Sequence, residues 1–253
     1  MSLWYKTGQN WQTISFAKET TTQNAFLCCG GPSLSLINPK FLNGPNRTIF
    51  GVNNVYPFIR PDVWVGMDHP KCFNREMFWE PFIKILRDGF YNSKIEGGID
   101  INMLPNTYYA DIGETKDKED IFKYRGHDTR FLWNWNSFAF ALHTIIWMGY
   151  GNIYIIGCDF DTSQKDYFNG VKLSDYERKY NQHLYGQLYE YLKWFSETSP
   201  KYDIHVYSCS ENSKINNYLE YKYYLDVIKE LEEPLPRGFS LYHTSMIKKI
   251  TNL

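Results

Sequence analysis

Residues 136–161, NSFAFALHTIIWMGYGNIYIIGCDFD, leave this chain few folds to choose from. Residues 137–148 are apolar on nearly every face and too long for an ordinary strand, so they predict a helix buried under a sheet, stopped by Gly149 and Gly151. Residues 153–156, IYII, come next as a short β-branched and aromatic run without alternation, the pattern of a strand covered on both faces. A central parallel strand delivers its next residues to the carboxyl edge of the sheet, where open α/β folds bind ligands. Gly157, Cys158, Asp159, Phe160 and Asp161 therefore stand at the expected site.

The upstream segments fit the same plan. Residues 25–29 are apolar and run into Gly30-Gly31-Pro32-Ser33-Leu34, the order of a first strand, a glycine turn and a helix start in a nucleotide-binding sheet. Glycine lets a phosphate or ribose approach the backbone, Pro32 is preset for a first helical turn, and Ser33 can cap free N–H groups. Any tight strand-to-helix turn can share this pattern. Residues 48–52 predict a second strand ending in Asn53 and Asn54, whose amides can read a base or ribose or simply form a turn. Residues 62–67 predict a third strand, ending in Asp68 and His69. Three strands that each finish in glycine, asparagine or acid would make one continuous polar rim.

Elsewhere the pattern predicts a helix over 73–86 and an irregular region over 87–130, in which the run GETKDKED reads as a solvated loop or helix face. Residues 162–182 are polar and tyrosine-bearing with little period, as expected of a lid. A helix over 183–198 is headed by His183, carries Leu184, Leu188, Tyr191, Leu192 and Phe195 at helical spacing, and stops at Pro200. A strand over 204–207 and a last helix over 215–231 complete the expected elements, and residues 1–24 form a polar arm without period.

A chain of 253 residues can bury one substantial core, so a single α/β domain over 1–253 is expected. With 27 basic and 28 acidic residues, the overall charge calls for no nucleic acid and no anionic membrane surface. The apolar runs fall short of the roughly 20 residues that span a bilayer, and MSLWYKTGQNWQ lacks the apolar core of a secretory signal, so a soluble cytoplasmic protein is expected. The mildly basic, amphipathic tail GFSLYHTSMIKKITNL is expected to pack on the body, with peripheral contact at the inner membrane as the alternative. Five cysteines, Cys28, Cys29, Cys72, Cys158 and Cys209, show no zinc-site spacing and read as small core residues.

The order of GGPSL at 30–34, FGVNN at 50–54, the 136–160 stretch, the His183 helix and SENS at 210–213 resembles the bacterial sialyltransferases of the Campylobacter lipooligosaccharide type (glycosyltransferase family 42-like), with the wider DUF115-like group that shares their sheet. The resemblance spans about residues 25–218. It implies a Rossmann-like, mostly parallel sheet with helices on both faces, a GT-A variant that needs no metal, and a lid closing over a CMP-activated sugar. The acceptor implied is a cell-surface glycan of lipopolysaccharide biosynthesis, and the assembly a homo-oligomer. The implied nucleotide and donor contacts fall on Gly30, Gly31, Ser33, Asn53, Asp68, His69, Ser137, Asn212 and Ser213, beside the strand-end candidates Asn54, Gly157 and Asp159. The implied general base is His183, which suits an inverting transfer in which one base takes the acceptor proton.

The chain also departs from that pattern. Of two tyrosines that hydrogen-bond the leaving phosphate in the family, the second corresponds to Tyr167, and the first falls on Asp161. Gly30 replaces an asparagine, and Asn134 an arginine. Asp159 and Asp161 therefore form a DxD arrangement, and a carboxylate about 4 Å from a phosphate costs on the order of 4 kcal/mol at an effective dielectric near 20 unless something offsets it. Either Asp161 points away or a divalent cation, Mg²⁺ or Mn²⁺, sits between. Two alternatives to a glycosyltransferase remain: an Mg-dependent diphosphokinase of the 6-hydroxymethylpterin type, which the DUF115-like group also resembles, and a non-catalytic nucleotide-binding protein.

Overall fold

The computed structural model describes residues 3–7, 10–14, 24–113, 117–123, 131–132, 136–161 and 167–232. In chain order the strands are β1 (Leu3–Thr7), β2 (Asn10–Ile14), β3 (Asn24–Cys28), β4 (Arg47–Val52), β5 (Val63–Gly66), β6 (Ile83–Arg87), β7 (Thr107–Ala110), β8 (Ile112–Gly113), β9 (Phe131–Leu132), β10 (Asn152–Ile156), β11 (His205–Ser208) and β12 (Glu220–Tyr221). The helices are α1 (Asp120–Lys123), α2 (Ser137–Trp147), α3 (Asp175–Thr198) and α4 (Tyr224–Glu232). Ten strands form one sheet in the order β12-β11-β10-β3-β4-β5-β6-β7-β1-β2, parallel from β12 to β7 and closed at one edge by the antiparallel β1–β2 hairpin. The chain is thus an α/β protein with a mostly parallel sheet.

Strand β3 pairs with β4 on one side and β10 on the other, so the winding direction reverses between β3 and β10. Burial on both faces explains the unbroken apolar runs. Along β3, Ala25 and Leu27 join the core beneath α2 and the Leu188–Leu192–Phe195 stripe of α3, whereas Phe26 and Cys28 join the core under α4 and the 3-10 turn Pro32–Leu36. Helix α2 is buried along its whole length and lies across β3, β4 and β5. Asn136 caps it by accepting the Ala139 N–H at 2.8 Å.

Four expectations are corrected. Residues 73–86 are not one helix. Phe73, Met77 and Phe78 mimic helical spacing, but Phe73 lies between two 3-10 turns and Met77 and Phe78 belong to the second, Pro81 breaks the run, and from Ile83 the side chains alternate across β6, with Ile83 and Ile85 in one core and Leu86 in another. The helix expected over 183–198 begins at Asp175, because Ser174 and Glu177 form a capping box, so residues 175–182 of the expected 162–182 lid are its first two turns. The helix expected over 215–231 is a 3-10 turn (Lys214–Asn217), the short β12, then α4; Asn216 ties its amide to the Ser210 and Glu211 carbonyls, which competes with helix. The arm contains the β1–β2 hairpin, with Leu3 opposite Ala110 and Trp4 opposite Tyr109. Residues 162–166 of the expected lid, Asn134 and the tail from 233 lie outside the described residues. No helix of the described residues is long and apolar enough to cross a membrane.

Candidate functional site

A cavity of about 410 Å³ opens outside the carboxyl ends of β3 and β10, at the point where the winding reverses. Its floor is two backbones in close contact. The Gly31 N–H donates to the Gly157 carbonyl at 2.7 Å, and a Cβ on Gly31 would stand 2.7 Å from that same oxygen and against the Asp159 carboxylate. Gly157, at φ 67, is equally constrained, since a Cβ there would run into the Cys29 carbonyl. Both glycines are therefore required by close approach.

Beyond Gly157 the chain turns again at Phe160, which holds φ 51, an uncommon state for a bulky residue. The Tyr189 hydroxyl pins it by donating to the Phe160 carbonyl at 2.9 Å, while Tyr185 stacks on its ring at 4.9 Å. That left-handed residue between them sends the two aspartates to different partners. Asp159 accepts both the N–H and the hydroxyl of Ser33, each at 3.0 Å, and the Ser33 hydroxyl lies 2.9 Å from that of Ser210, which in turn accepts the Gly157 N–H. Burial pushes the Asp159 carboxyl above its usual range, the Ser33 donors pull it down, and Asp161 pushes it up again. Asp161 instead pairs with Lys214, Nζ to Oδ1 at 3.1 Å. Burial and then Asp161 push the Tyr189 phenol up to about 12.

The expected site residues divide into three groups. Gly30, Gly31, Asn53, Asn54, Asp68, Ser137, Gly157, Asp159, Asp161 and Tyr167 line the cavity together. Asn53 sits in the left-handed region at φ 53 and its carbonyl accepts the Trp64 indole N–H at 2.9 Å, but its buried Oδ1 has no hydrogen-bond partner among the described residues. Burial raises the Asp68 carboxyl, against the pull of Arg87. Ser33, His69 and Ser213 do not line the cavity but brace it. The His69 Nδ1 accepts the Lys71 N–H at 3.2 Å, and the Ser213 hydroxyl donates to the Cys158 carbonyl at 2.5 Å, holding the turn after β11 onto the end of β10. Asn212 is exposed in that turn and outside the lining.

His183 lies in the third turn of α3, not at its start; it is exposed, 3.4 Å from Gln187, and adjacent in sequence to the lining residue Leu184. The strip of α3 that does line the cavity carries Tyr180, Asn181, Leu184, Tyr185 and Leu188, spaced one turn apart. The sequence pattern gave Leu184 and Leu188 only as part of the helical stripe and did not single out Tyr180, Asn181, Tyr185, Asn136, Phe73 or Phe138 as site residues. Among the described residues no group of three or more His, Cys, Asp or Glu side chains is placed to hold a metal ion. Asp159 and Asp161 each hold protein donors that a cation would have to displace.

No protein-family model matches the sequence, and no curated protein matches it. Among solved structures, the chain is similar to the sialyltransferase CstII from Campylobacter jejuni in complex with cytidine-5'-monophosphate, at 16% identity and a TM-score of 0.46 over 80% of this chain and 86% of that one. It is likewise similar to the monofunctional alpha-2,3-sialyltransferase Cst-I from Campylobacter jejuni, at 16% identity and a TM-score of 0.45 over 94% of this chain and 98% of that one. Both are of the type that the order of sequence pieces resembles.

Proposed function

We propose that this protein is a glycosyltransferase that passes a sialic-acid-like sugar from a CMP-linked donor to a glycan acceptor. The observation that carries the reading is the state of the two strand-end carboxylates. Asp159 is engaged by Ser33 and Asp161 by Lys214, so neither is presented for the divalent cation that a diphosphate donor or a diphosphokinase would call for. A CMP-linked sugar carries a single phosphodiester charge and has no need of one. The winding reversal, the glycine-floored cavity and the unpaired Asn53 Oδ1 suit a nucleoside, and the aromatic rings of Phe138, Phe160, Tyr167 and Tyr180 suit the apolar faces of a sugar or base.

In this reading the acceptor hydroxyl oxygen forms its bond to the anomeric carbon while the bond from that carbon to the phosphate oxygen breaks, and CMP leaves with the electron pair. The acceptor proton passes to a base, for which we propose His183, beside the α3 strip that lines the cavity. His183→Ala should then lower turnover by about two to four orders of magnitude with nucleotide affinity unchanged. The reading is tested by thermal unfolding with CMP, CDP, UDP, GDP or ATP, each with Mg²⁺ or with EDTA. CMP at 100 times its dissociation constant should add about 2.7 kcal/mol without metal. Stabilisation by ATP or GTP alone, and only with Mg²⁺, would replace the transferase with the diphosphokinase.

A further inference from the structure

The turn after β11 is fastened to the end of β10 at several points. The Ser213 hydroxyl donates to the Cys158 carbonyl at 2.5 Å, the Lys214 N–H donates to the Asp159 carbonyl at 3.2 Å, and the Asn216 amide braces the turn through the Ser210 and Glu211 carbonyls. The Lys214 backbone is therefore fixed beside the strand end. Its side chain is half-exposed and reaches Asp161, a cavity-lining residue, with 3.1 Å between Nζ and Oδ1. An ammonium has three donors, so the one aimed at Asp161 leaves two for an incoming anion. Asp161 alone would repel a phosphate in this cavity; Lys214 does not itself line the cavity, but its pairing with Asp161 holds an ammonium against one residue that does.

We propose that Lys214 is a ligand of the donor phosphate, positioned by Asp161, and that its ammonium supplies a positive charge beside that phosphate. The proposal rests on the CMP-donor reading above. Its chemical use is in the transfer itself: when the bond from the anomeric carbon to the phosphate oxygen breaks, the phosphate gains one negative charge as the electron pair stays on that oxygen. An ammonium within hydrogen-bond reach stabilises the product side more than the ground state.

The test is calorimetric titration of CMP and of cytidine into the full chain in EDTA, for the wild type, K214M, K214R and D161N. Wild type should bind CMP at least about tenfold more tightly than cytidine, with a ratio that shrinks as salt rises. K214M should weaken CMP about tenfold and leave cytidine within about twofold, K214R should keep most of the CMP affinity, and D161N, which removes the positioning partner but not the ammonium, should weaken CMP less than K214M does. Because Lys214 is half-exposed, unchanged cytidine binding also reports that K214M is folded. If K214M binds CMP as wild type does, the proposal is wrong while the nucleotide reading stands. If wild type binds neither ligand, the nucleotide reading fails and the proposal with it. CMP binding that EDTA abolishes and Mg²⁺ restores would put a metal where Lys214 is assigned.

Discussion

Lowering the pH from 8 to 5 should charge His143 in the unfolded chain but not in the folded one. This histidine is buried in α2 against α3, its Nε2 is 2.7 Å from the Tyr191 hydroxyl, and burial pushes its pKa down from 6.5 to about 3. The unfolded chain binds more protons throughout that interval, so stability is full above about pH 6.5 and falls as the pH drops toward 3. With those two values the loss at pH 5 is about 2 kcal/mol, a large share of an ordinary margin of stability. Buried carboxyls act in the opposite sense. Asp62, Asp68, Asp88 and Asp159 are all raised by burial, so between their unfolded and raised pKa values the folded state holds the extra proton and acid favours it. Comparison with His143→Gln separates the two, since the amide can still accept from Tyr191 but does not titrate. In urea unfolding, wild type should lose about 2 kcal/mol more than H143Q between pH 8 and pH 5. Equal losses in the two proteins would mean that the histidine is not the source, and the reasoning from its burial would be refuted.

Three other sites give outcomes of their own. Gly31→Ala puts a methyl 2.7 Å from the Gly157 carbonyl oxygen, so it should destabilise by about 1–3 kcal/mol in urea unfolding and abolish CMP binding, because the floor of the cavity has to move. Asn53→Gly keeps the left-handed backbone and removes an amide whose Oδ1 bonds nothing among the described residues; its stability should stay within about 0.5 kcal/mol of wild type while CMP affinity falls about tenfold by titration calorimetry. Lys84 is fully buried in β6 with Nζ on the Glu80 and Phe82 carbonyls, and burial lowers its pKa from 10.5 to about 7. A lowered base favours the folded state as the proton is lost, so wild-type stability should climb by about 2 kcal/mol between pH 7 and pH 9 relative to K84M, and parallel profiles would contradict it.

The centre of this fold was readable from the sequence because its signals are local. Residues 137–147 and 153–156 are buried throughout, so their apolar runs have no gaps, and the glycines that stop them lie between helix and strand. Where an element depends on distant pairing the sequence said little. The β1–β2 hairpin is held to the sheet by Leu3 opposite Ala110, about a hundred residues away, and its aromatic residues carry no period that would announce this. The misread 73–86 helix shows the converse: Phe73, Met77 and Phe78 satisfied a local period for the sake of packing under Trp64, and only Pro81 argued against it.

The same division runs through the site, and the DxD stretch shows why. Spacing two carboxylates by one residue suggests a shared ligand only if the intervening backbone is extended or turns so that both face one point. Phe160 instead holds φ 51, a state no sequence rule assigns to phenylalanine, and the two carboxylates part. Asp159 finds Ser33, 126 residues earlier, and Asp161 finds Lys214, 53 residues later. Neither partner could be paired with its aspartate from spacing, yet the partners decide the chemistry. An aspartate fastened to a serine holds two strand ends together, and one paired with a lysine sets an ammonium beside a lining residue. Lys214, the partner on which our proposal for the phosphate rests, lies one residue beyond the SENS stretch, and no motif contained it.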